Sequence, residues 1–280
     1  MHFSKMHGLG NDFMIIDGVR QSIQPTSSQI TSWGRRDTGI GFDQCLLIEP
    51  SRAPDVDFFY RIFNANGHEV GQCGNGARCL ARFVERYGLT DKKTICVATH
   101  TTRMQLDILP DETVTVDMGK PQLLPSAIPI KARTQKPWYS IPLPNHTLCD
   151  VHAISVGNPH AVLVVEDVSQ AQVASLGKLI CEHPLFPEQT NVGFMHIINP
   201  EHIDLRVYER GCGETRACGS GAVAAVAVGR LFHNLSNQVT VTVPGGNLLV
   251  KWPNMLDGHI VLNGPAVFVY EGILEDVCVL

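Results

Sequence analysis

The chain has 280 residues, 44% hydrophobic and 18% charged, with a net charge of -5. That is globular composition with apolar material for one large domain or two ordinary ones, and it carries no bulk basic signal for nucleic acid. Met1-His2-Phe3-Ser4-Lys5-Met6 lacks the apolar core of a signal peptide, and no apolar run reaches the ~18 residues that a membrane span needs. Nine cysteines in that setting read as reduced thiols of a cytoplasmic protein rather than a disulfide framework.

In chain order, Phe13-Met14-Ile15-Ile16 and Cys45-Leu46-Leu47-Ile48 are short apolar runs that predict strands. The basic pairs Arg35-Arg36 and Lys92-Lys93 read as solvated surface. Cys73-Gly74-Asn75-Gly76-Ala77 opens a predicted helix over residues 75–87, with Gly88 ending it. Thr113-Val114-Thr115-Val116 predicts a strand, and the proline-rich residues 121–145 hold the expected link to a second domain. Strands are predicted again over 161–165 and 239–243, with a helix between them over 220–232. Its run Ala222-Val223-Ala224-Ala225-Val226-Ala227-Val228 is apolar on every face, which predicts a helix buried all round.

The chain also repeats itself. Tyr60-Arg61-Ile62-Phe63-Asn64 resembles Leu205-Arg206-Val207-Tyr208-Glu209. At that same spacing Glu69 falls on Glu214, and Cys73-Gly74-Asn75-Gly76-Ala77 falls on Cys218-Gly219-Ser220-Gly221-Ala222. Leu106-Asp107-Ile108-Leu109-Pro110 resembles Leu249-Val250-Lys251-Trp252-Pro253, and Gly10-Asn11 resembles Gly157-Asn158. The fold class expected is therefore α/β of the α+β kind: two pseudo-symmetric repeat domains, each a curved mixed sheet around a central helix. The first covers residues 1–120 and the second 121–263, while residues 264–280 could close either sheet.

Cys73 and Cys218 hold the same place in the two copies, each just before a Gly-x-Gly that opens a helix. A helix start presents backbone N–H groups that the helix cannot use itself, binds anions and favours a thiolate. A free cysteine is only about 3% thiolate at pH 7, and a helix N-terminus supplies roughly 0.3–2 kcal/mol, so a nearby His or Glu is expected to help hold the ionised form. Two such thiols suit inversion of a stereocentre. One group removes a proton from one face, the other returns a proton to the opposite face, and the helix starts stabilise the charge developing on a carboxylate.

Several motifs carry a resemblance. Lys5-Met6-His7-Gly8-Leu9-Gly10-Asn11-Asp12-Phe13, Gln72-Cys73-Gly74-Asn75-Gly76-Ala77-Arg78-Cys79, Gly157-Asn158-Pro159-His160, Gln189-Thr190-Asn191, and Glu209-Arg210-Gly211-x-Gly213-Glu214-Thr215-x-Ala217-Cys218-Gly219-Ser220-Gly221 resemble those of diaminopimelate epimerases over nearly the whole chain. The resemblance implies an isomerase that interconverts LL- and meso-diaminopimelate in lysine and peptidoglycan precursor synthesis. It implies no cofactor and no metal, often a homodimer, and residues 264–280 returning to the first domain. Carried over, Cys73 and Cys218 are acid and base, and His160 and Glu209 tune them. Gly74, Asn75, Gly219 and Ser220 offer backbone groups to the reacting carboxylate. Asn11, Gln44, Asn64, Asn158, Asn191, Glu209 and Arg210 hold the substrate. Asn66 and His68 depart from the usual pattern of their stretch without touching the chemistry.

Blander readings compete. Cys45, Cys79, Cys96, Cys149, Cys181 and Cys278 read as inert packing, and Cys212 as an adventitious thiol near the site. The Cys-x5-Cys spacings of Cys73–Cys79 and Cys212–Cys218 do not match the close pairs of zinc sites. Gly74-x-Gly76 and Gly219-x-Gly221 are partial dinucleotide fingerprints, but residues 69–72 and 214–217 do not read as strands before them. His160 alone would read as a structural histidine and Arg210 as a surface charge. A proline racemase-like activity remains the rival within the same fold, although Arg210 and Asn64 favour a substrate with a distal zwitterion. A cysteine hydrolase using Cys218 and His160, or a duplicated binding module, leaves at least one helix-start thiol unexplained.

Overall fold

The computed structural model describes all residues except 52, 72, 145, 257 and 276–280. Gln72, Asn145 and Cys278 therefore lie outside the described residues. The chain divides into two compact units, residues 1–116 with 264–280, and residues 117–263.

The first unit runs β1 (His2–Gly8), β2 (Asn11–Asp17), α1 (Ser27–Gly34), β3 (Gln44–Pro50), β4 (Phe58–Asn64), β5 (Glu69–Val70), α2 (Gly74–Arg86), β6 (Thr94–Ala98), β7 (Arg103–Ile108) and β8 (Val114–Asp117). The second contains β9 (Tyr139–Pro142), β10 (Leu148–Ser155), β11 (Pro159–Val164), α3 (Val173–Cys181), β12 (Asn191–Asn199), β13 (His202–Glu209), β14 (Gly213–Thr215), α4 (Gly219–Phe232), β15 (Gln238–Val243), β16 (Gly246–Lys251) and β17 (Val261–Gly264). Finally β18 (Val267–Ile273) pairs antiparallel with β1.

The two units share one topology. In the first, β1 is antiparallel to β2, β2 parallel to β3, β3 antiparallel to β4, β4 antiparallel to β5 and parallel to β6, and β6 to β8 form a meander. In the second, β10 to β17 repeat these relations pair for pair. Glycines with left-handed backbone mark the matching hairpins: Gly10 (φ 86°) turns β1 into β2, and Gly157 (φ 95°) turns β10 into β11. Such φ values are cheap for glycine and costly for most other residues. The pair Arg61–Glu69 (2.7 Å) recurs as Arg206–Glu214 (2.7 Å), clamping β5 to β4 and β14 to β13.

Each sheet wraps one helix. α2 packs against β1, β2, β3 and β7, and α4 against β10, β11, β12, β13 and β16. Residues from Ala222 to Val228 are all fully buried, so α4 is enclosed on every side. Each valine there contributes roughly 1.5–3 kcal/mol by leaving water, and the alanines let strands approach on all faces. An enlargement such as Ala225→Leu would cost about 1–3 kcal/mol.

Two expectations are corrected, and two helices add to the predicted elements. Residues 69–72 and 214–217 contain short strands, because each forms ladder bonds with the preceding strand. The proline-rich segment is not a bare link. Ile128, Ile130, Tyr139 and Ile141 are buried in the core of the second unit, and Gln122 bridges to Ser155. Helices α1 and α3 were not foreseen.

Candidate active site

In the first unit Cys73 is the N-cap of α2, with extended backbone (φ -152°), and its Sγ accepts the N–H of Gly76 at 3.3 Å. In the second, Cys218 caps α4 in the same way (φ -122°), accepting from Gly221 at 3.3 Å. Sulfur thus replaces the hydroxyl or carboxylate oxygen usual at an N-cap, and a thiolate fills that acceptor role better than a thiol. The first helical bonds begin at Ala77 and Ala222, whose N–H groups donate to Cys73 O (2.9 Å) and Cys218 O (3.0 Å). The N–H groups of Gly74, Asn75, Gly219 and Ser220 therefore lie before the helical ladder, where an anion is held.

Around Cys73 the polar groups are mostly amides. Asn11 Oδ1 lies 4.0 Å from Sγ and accepts from Asn75 Nδ2 at 3.1 Å. Asn11 Nδ2 donates to Asp43 at 2.9 Å. Gln44 Nε2 donates to Asn64 Oδ1 at 2.9 Å across the β3–β4 ladder, while the buried Gln44 Oε1 has no partner among the described residues. A charged clip anchors Asn11. Arg36 bridges Asp12 (2.8 Å) and Asp43 (2.8 Å), and Lys5 reaches Asp12 at 2.5 Å. Burial pushes the Asp12 carboxyl up, but hydrogen bonds from Arg36 and Lys5 outweigh it and hold its pKa at about 2. Arg36 is exposed, as its reading as solvated surface expects, and also forms part of this clip. Asp12 and Asp43 were missed as positioning groups, although Asp12 stands inside a quoted motif.

Around Cys218 the neighbours include ionisable groups. His160 is fully buried, and burial drives its pKa down to about 3, with the Arg210 charge acting the same way. It is therefore neutral at pH 7. His160 Nε2 lies 3.0 Å from Asn158 Oδ1 and 3.1 Å from Ser220 Oγ, and Asn158 Nδ2 donates to the same hydroxyl at 3.3 Å. The Ser220 hydroxyl in turn lies 3.6 Å from Cys218 Sγ, where either group can donate. Burial raises the Cys218 thiol well above its ordinary pKa, and the Glu209 carboxylate raises it further, against opposing hydrogen bonds from Ser220 and Gly221. Glu209 in turn accepts from Thr215 Oγ1. The expectation that a nearby His or Glu holds a thiolate is thus corrected at Cys218. His160 contacts Ser220 and not the sulfur, and Glu209 shifts the Cys218 thiol upward.

Asn191 Oδ1 accepts the backbone N–H of Arg210 at 2.9 Å, which fixes the turn after β13. The Arg210 guanidinium is exposed and donates to the Glu188 carbonyl at 2.8 Å. Among the described residues, no carboxylate forms a salt bridge with it. Cys45, Cys79 and Cys181 are buried, Cys96 and Cys149 half-buried, and Cys212 exposed. Burial pushes the thiols of Cys45, Cys79, Cys149 and Cys181 up, which fits inert packing. Among the described residues, no cluster of three or more His, Cys, Asp or Glu is placed to hold a metal, and no helix is long and apolar enough to cross a membrane.

A duplicated α+β unit whose equivalent helices are both capped by cysteine defines the class. Two solved structures share the fold: a hydroxyproline epimerase from Agrobacterium vitis (TM-score 0.71, 12% identity, 97% of this chain and 91% of that one) and a phenazine biosynthesis protein of the PhzF family from Bacillus anthracis (TM-score 0.70, 14% identity, 98% and 99%). The diaminopimelate epimerase family model matches residues 3–124 and 152–269. A diaminopimelate epimerase of Legionella pneumophila strain Philadelphia 1 is 62% identical over 272 residues, 97% of this chain and 98% of its own. The chain belongs to the diaminopimelate epimerase family of isomerases.

Proposed function

We propose that the chain interconverts LL- and meso-diaminopimelate by a two-base mechanism in which Cys73 and Cys218 exchange protons with opposite faces of one α-carbon. One sulfur, as thiolate, takes the α-proton, while the other, as thiol, gives its own. The next turnover in reverse restores both. The α-carboxylate takes up negative charge as the proton leaves, and N–H groups of Gly74, Asn75, Gly219 and Ser220 stabilise that charge. His160 and Glu209 tune Cys218. Asn11, Gln44, Asn64, Asn158, Asn191, Glu209 and Arg210 bind the substrate, with Arg210 on the distal carboxylate. The two units are two copies of one domain, which supplies one cysteine each.

The observation that carries this reading is the identical N-cap placement of Cys73 and Cys218, each sulfur 3.3 Å from the N–H three residues on. The name of the Legionella relative supplies the substrate. A test is incubation with LL-diaminopimelate in heavy water, with NMR of the α-proton. Loss of that signal together with appearance of the meso isomer is expected, and an α-proton that stays in place refutes the reading. Diaminopimelate places the chain in lysine and peptidoglycan precursor synthesis, and we assign it to the cytoplasm, where its cysteines stay reduced. A homodimer is supported by the exposed side chains of Val267, Val269, Tyr270 and Ile273 on β18. Light scattering at twice the monomer mass is the expected result.

A further inference from the structure

Arg78 is the largest fully buried side chain among the described residues, 0% exposed, on the second turn of α2. Burying a guanidinium costs several kcal/mol unless it is paired. Its hydrogen bonds reach only neutral acceptors: Nη2 donates to Asn75 Oδ1 at 2.9 Å and Nε to the Pro265 carbonyl at 3.3 Å. Nη1 has no partner among the described residues, and no carboxylate there forms a salt bridge with Arg78. An arginine stays charged even when desolvated. The first unit therefore holds a buried cation whose partner anion is not a carboxylate.

Space has been made for it. A Cβ on Gly8 would lie 3.1 Å from Arg78 Nη2 and 3.5 Å from Asn75 Cβ. Gly8 closes β1, so the motif around residues 5–13 and the motif around residues 72–79 meet over this guanidinium. The second copy lacks it, because Val223 stands at the matching position of α4, fully buried. From Arg78 a chain of contacts leads to the sulfur: Nη2 to Asn75, Asn75 Nδ2 to Asn11 Oδ1 (3.1 Å), and Asn11 Oδ1 to Cys73 Sγ (4.0 Å). Titratable groups coupled to Cys73 inside the unit include Arg78 and Cys79 from α2 and the buried Tyr60 from β4. Lys5 of β1, the other buried cation, is already paired with Asp12. Of those three coupled groups, Arg78 alone is positively charged.

We propose that Arg78 is a positioning residue for the Cys73 half of the site, the buried counter-cation that favours negative charge at the α2 N-terminus and holds Asn75 and Asn11 in register with the sulfur. The assignment rests on Cys73 being an acid–base group. It is tested by a readout that does not need turnover. The parent, Arg78→Gln and Arg78→Lys are alkylated with iodoacetamide across pH 6 to 10, and the Cys73 and Cys212 peptides are followed by mass spectrometry. Loss of the charge in Arg78→Gln is expected to raise the Cys73 midpoint by about one pH unit, a roughly tenfold slower reaction at pH 7. Arg78→Lys keeps the midpoint but lowers kcat, because the Nη2 hydrogen bond to Asn75 is gone, and the exposed Cys212 profile stays unchanged in both. An Arg78→Gln protein with the parent midpoint overturns the proposal. Should Arg78→Gln fail to fold, an Arg78→Lys midpoint raised by a full unit overturns it equally. Failure of α-proton exchange in the parent would instead overturn the epimerase reading and leave this titration result standing.

Discussion

His160 makes a prediction about stability that can be worked from its surroundings. Its pKa is about 3 in the folded protein because burial disfavours the imidazolium, against about 6.5 in an unfolded chain. A depressed histidine lets the unfolded state bind the proton first, so stability is full above the unfolded pKa. It falls as pH drops below about 6.5, and the loss levels off only near the folded value. Between pH 7 and pH 5 the linkage integral comes to about 2 kcal/mol, and it barely depends on where below pH 4 the folded value lies. His160→Gln removes the titration while keeping an amide donor for Asn158 and Ser220. Urea unfolding at pH 7 and pH 5, followed through the fluorescence of the buried Trp252 in the same unit, measures both proteins. His152 and His233 are also depressed by burial, but they are present in parent and variant alike and cancel in the difference. The parent is expected to lose about 2 kcal/mol more than His160→Gln over this interval. Equal losses would show that the folded-state pKa of His160 is not depressed, and the argument that burial holds it neutral would fall with it.

Three other outcomes are expected. Cys73→Ala or Cys218→Ala should lower kcat by at least about a thousandfold, since each face needs its own proton carrier; a chiral assay of meso-diaminopimelate formation checks this. Arg210→Lys should lower kcat/KM for diaminopimelate by at least roughly tenfold, about 1.4 kcal/mol, and lysine, which lacks the distal carboxylate, should be a poor substrate of the parent. If two thiols serve one α-carbon they come within disulfide reach, so mild oxidation should link Cys73 to Cys218 and abolish activity until a reductant is added. Peptide mapping that finds both thiols free in oxidised, inactive protein would contradict the shared-carbon mechanism.

The repeat was legible because it survives at residues that backbone geometry holds fixed. Gly10 and Gly157 need left-handed turns, Cys73 and Cys218 need a cap, and the Arg61–Glu69 pair is copied in Arg206–Glu214. The enclosed helix α4 was legible from an all-apolar run that has no solvent face to offer. α1 left a signal that went unread: Thr26 and Gln29 form a reciprocal capping box. α3 left none, for it has no side-chain cap and carries Gly177 mid-helix, where a Cβ would stand 2.6 Å from Tyr208 Cβ. Strands of two or three residues such as β5 and β14 are too short for any periodicity. Arg78 was invisible as a buried group because a charged residue in a helix usually marks its wet face. The neutrality of His160 was hidden too, since it comes from the strands and helix that bury it.

The repeat also explains why the two half-sites had to diverge. A proton must move from carbon to one sulfur and from the other sulfur to carbon, so the working enzyme needs one thiolate and one thiol together. Two copies with identical surroundings would give both cysteines the same affinity for a proton, and nothing would fix which of them carries it. The capping geometry is the part kept in common, and it favours the anion at both. The differences lie one layer out. In the register of β2 on β3, Phe13 faces Gln44, whereas in β11 on β12 the equivalent position is His160 facing Asn191. Asn64 at the end of β4 becomes Glu209 at the end of β13, and Arg78 of α2 becomes Val223 of α4. The first unit thus holds a cation beneath its cysteine and amides around it. The second holds a carboxylate that pushes its thiol toward the protonated form. These differences one layer out, and not the shared caps, are where unequal proton affinities of the two sulfurs would arise.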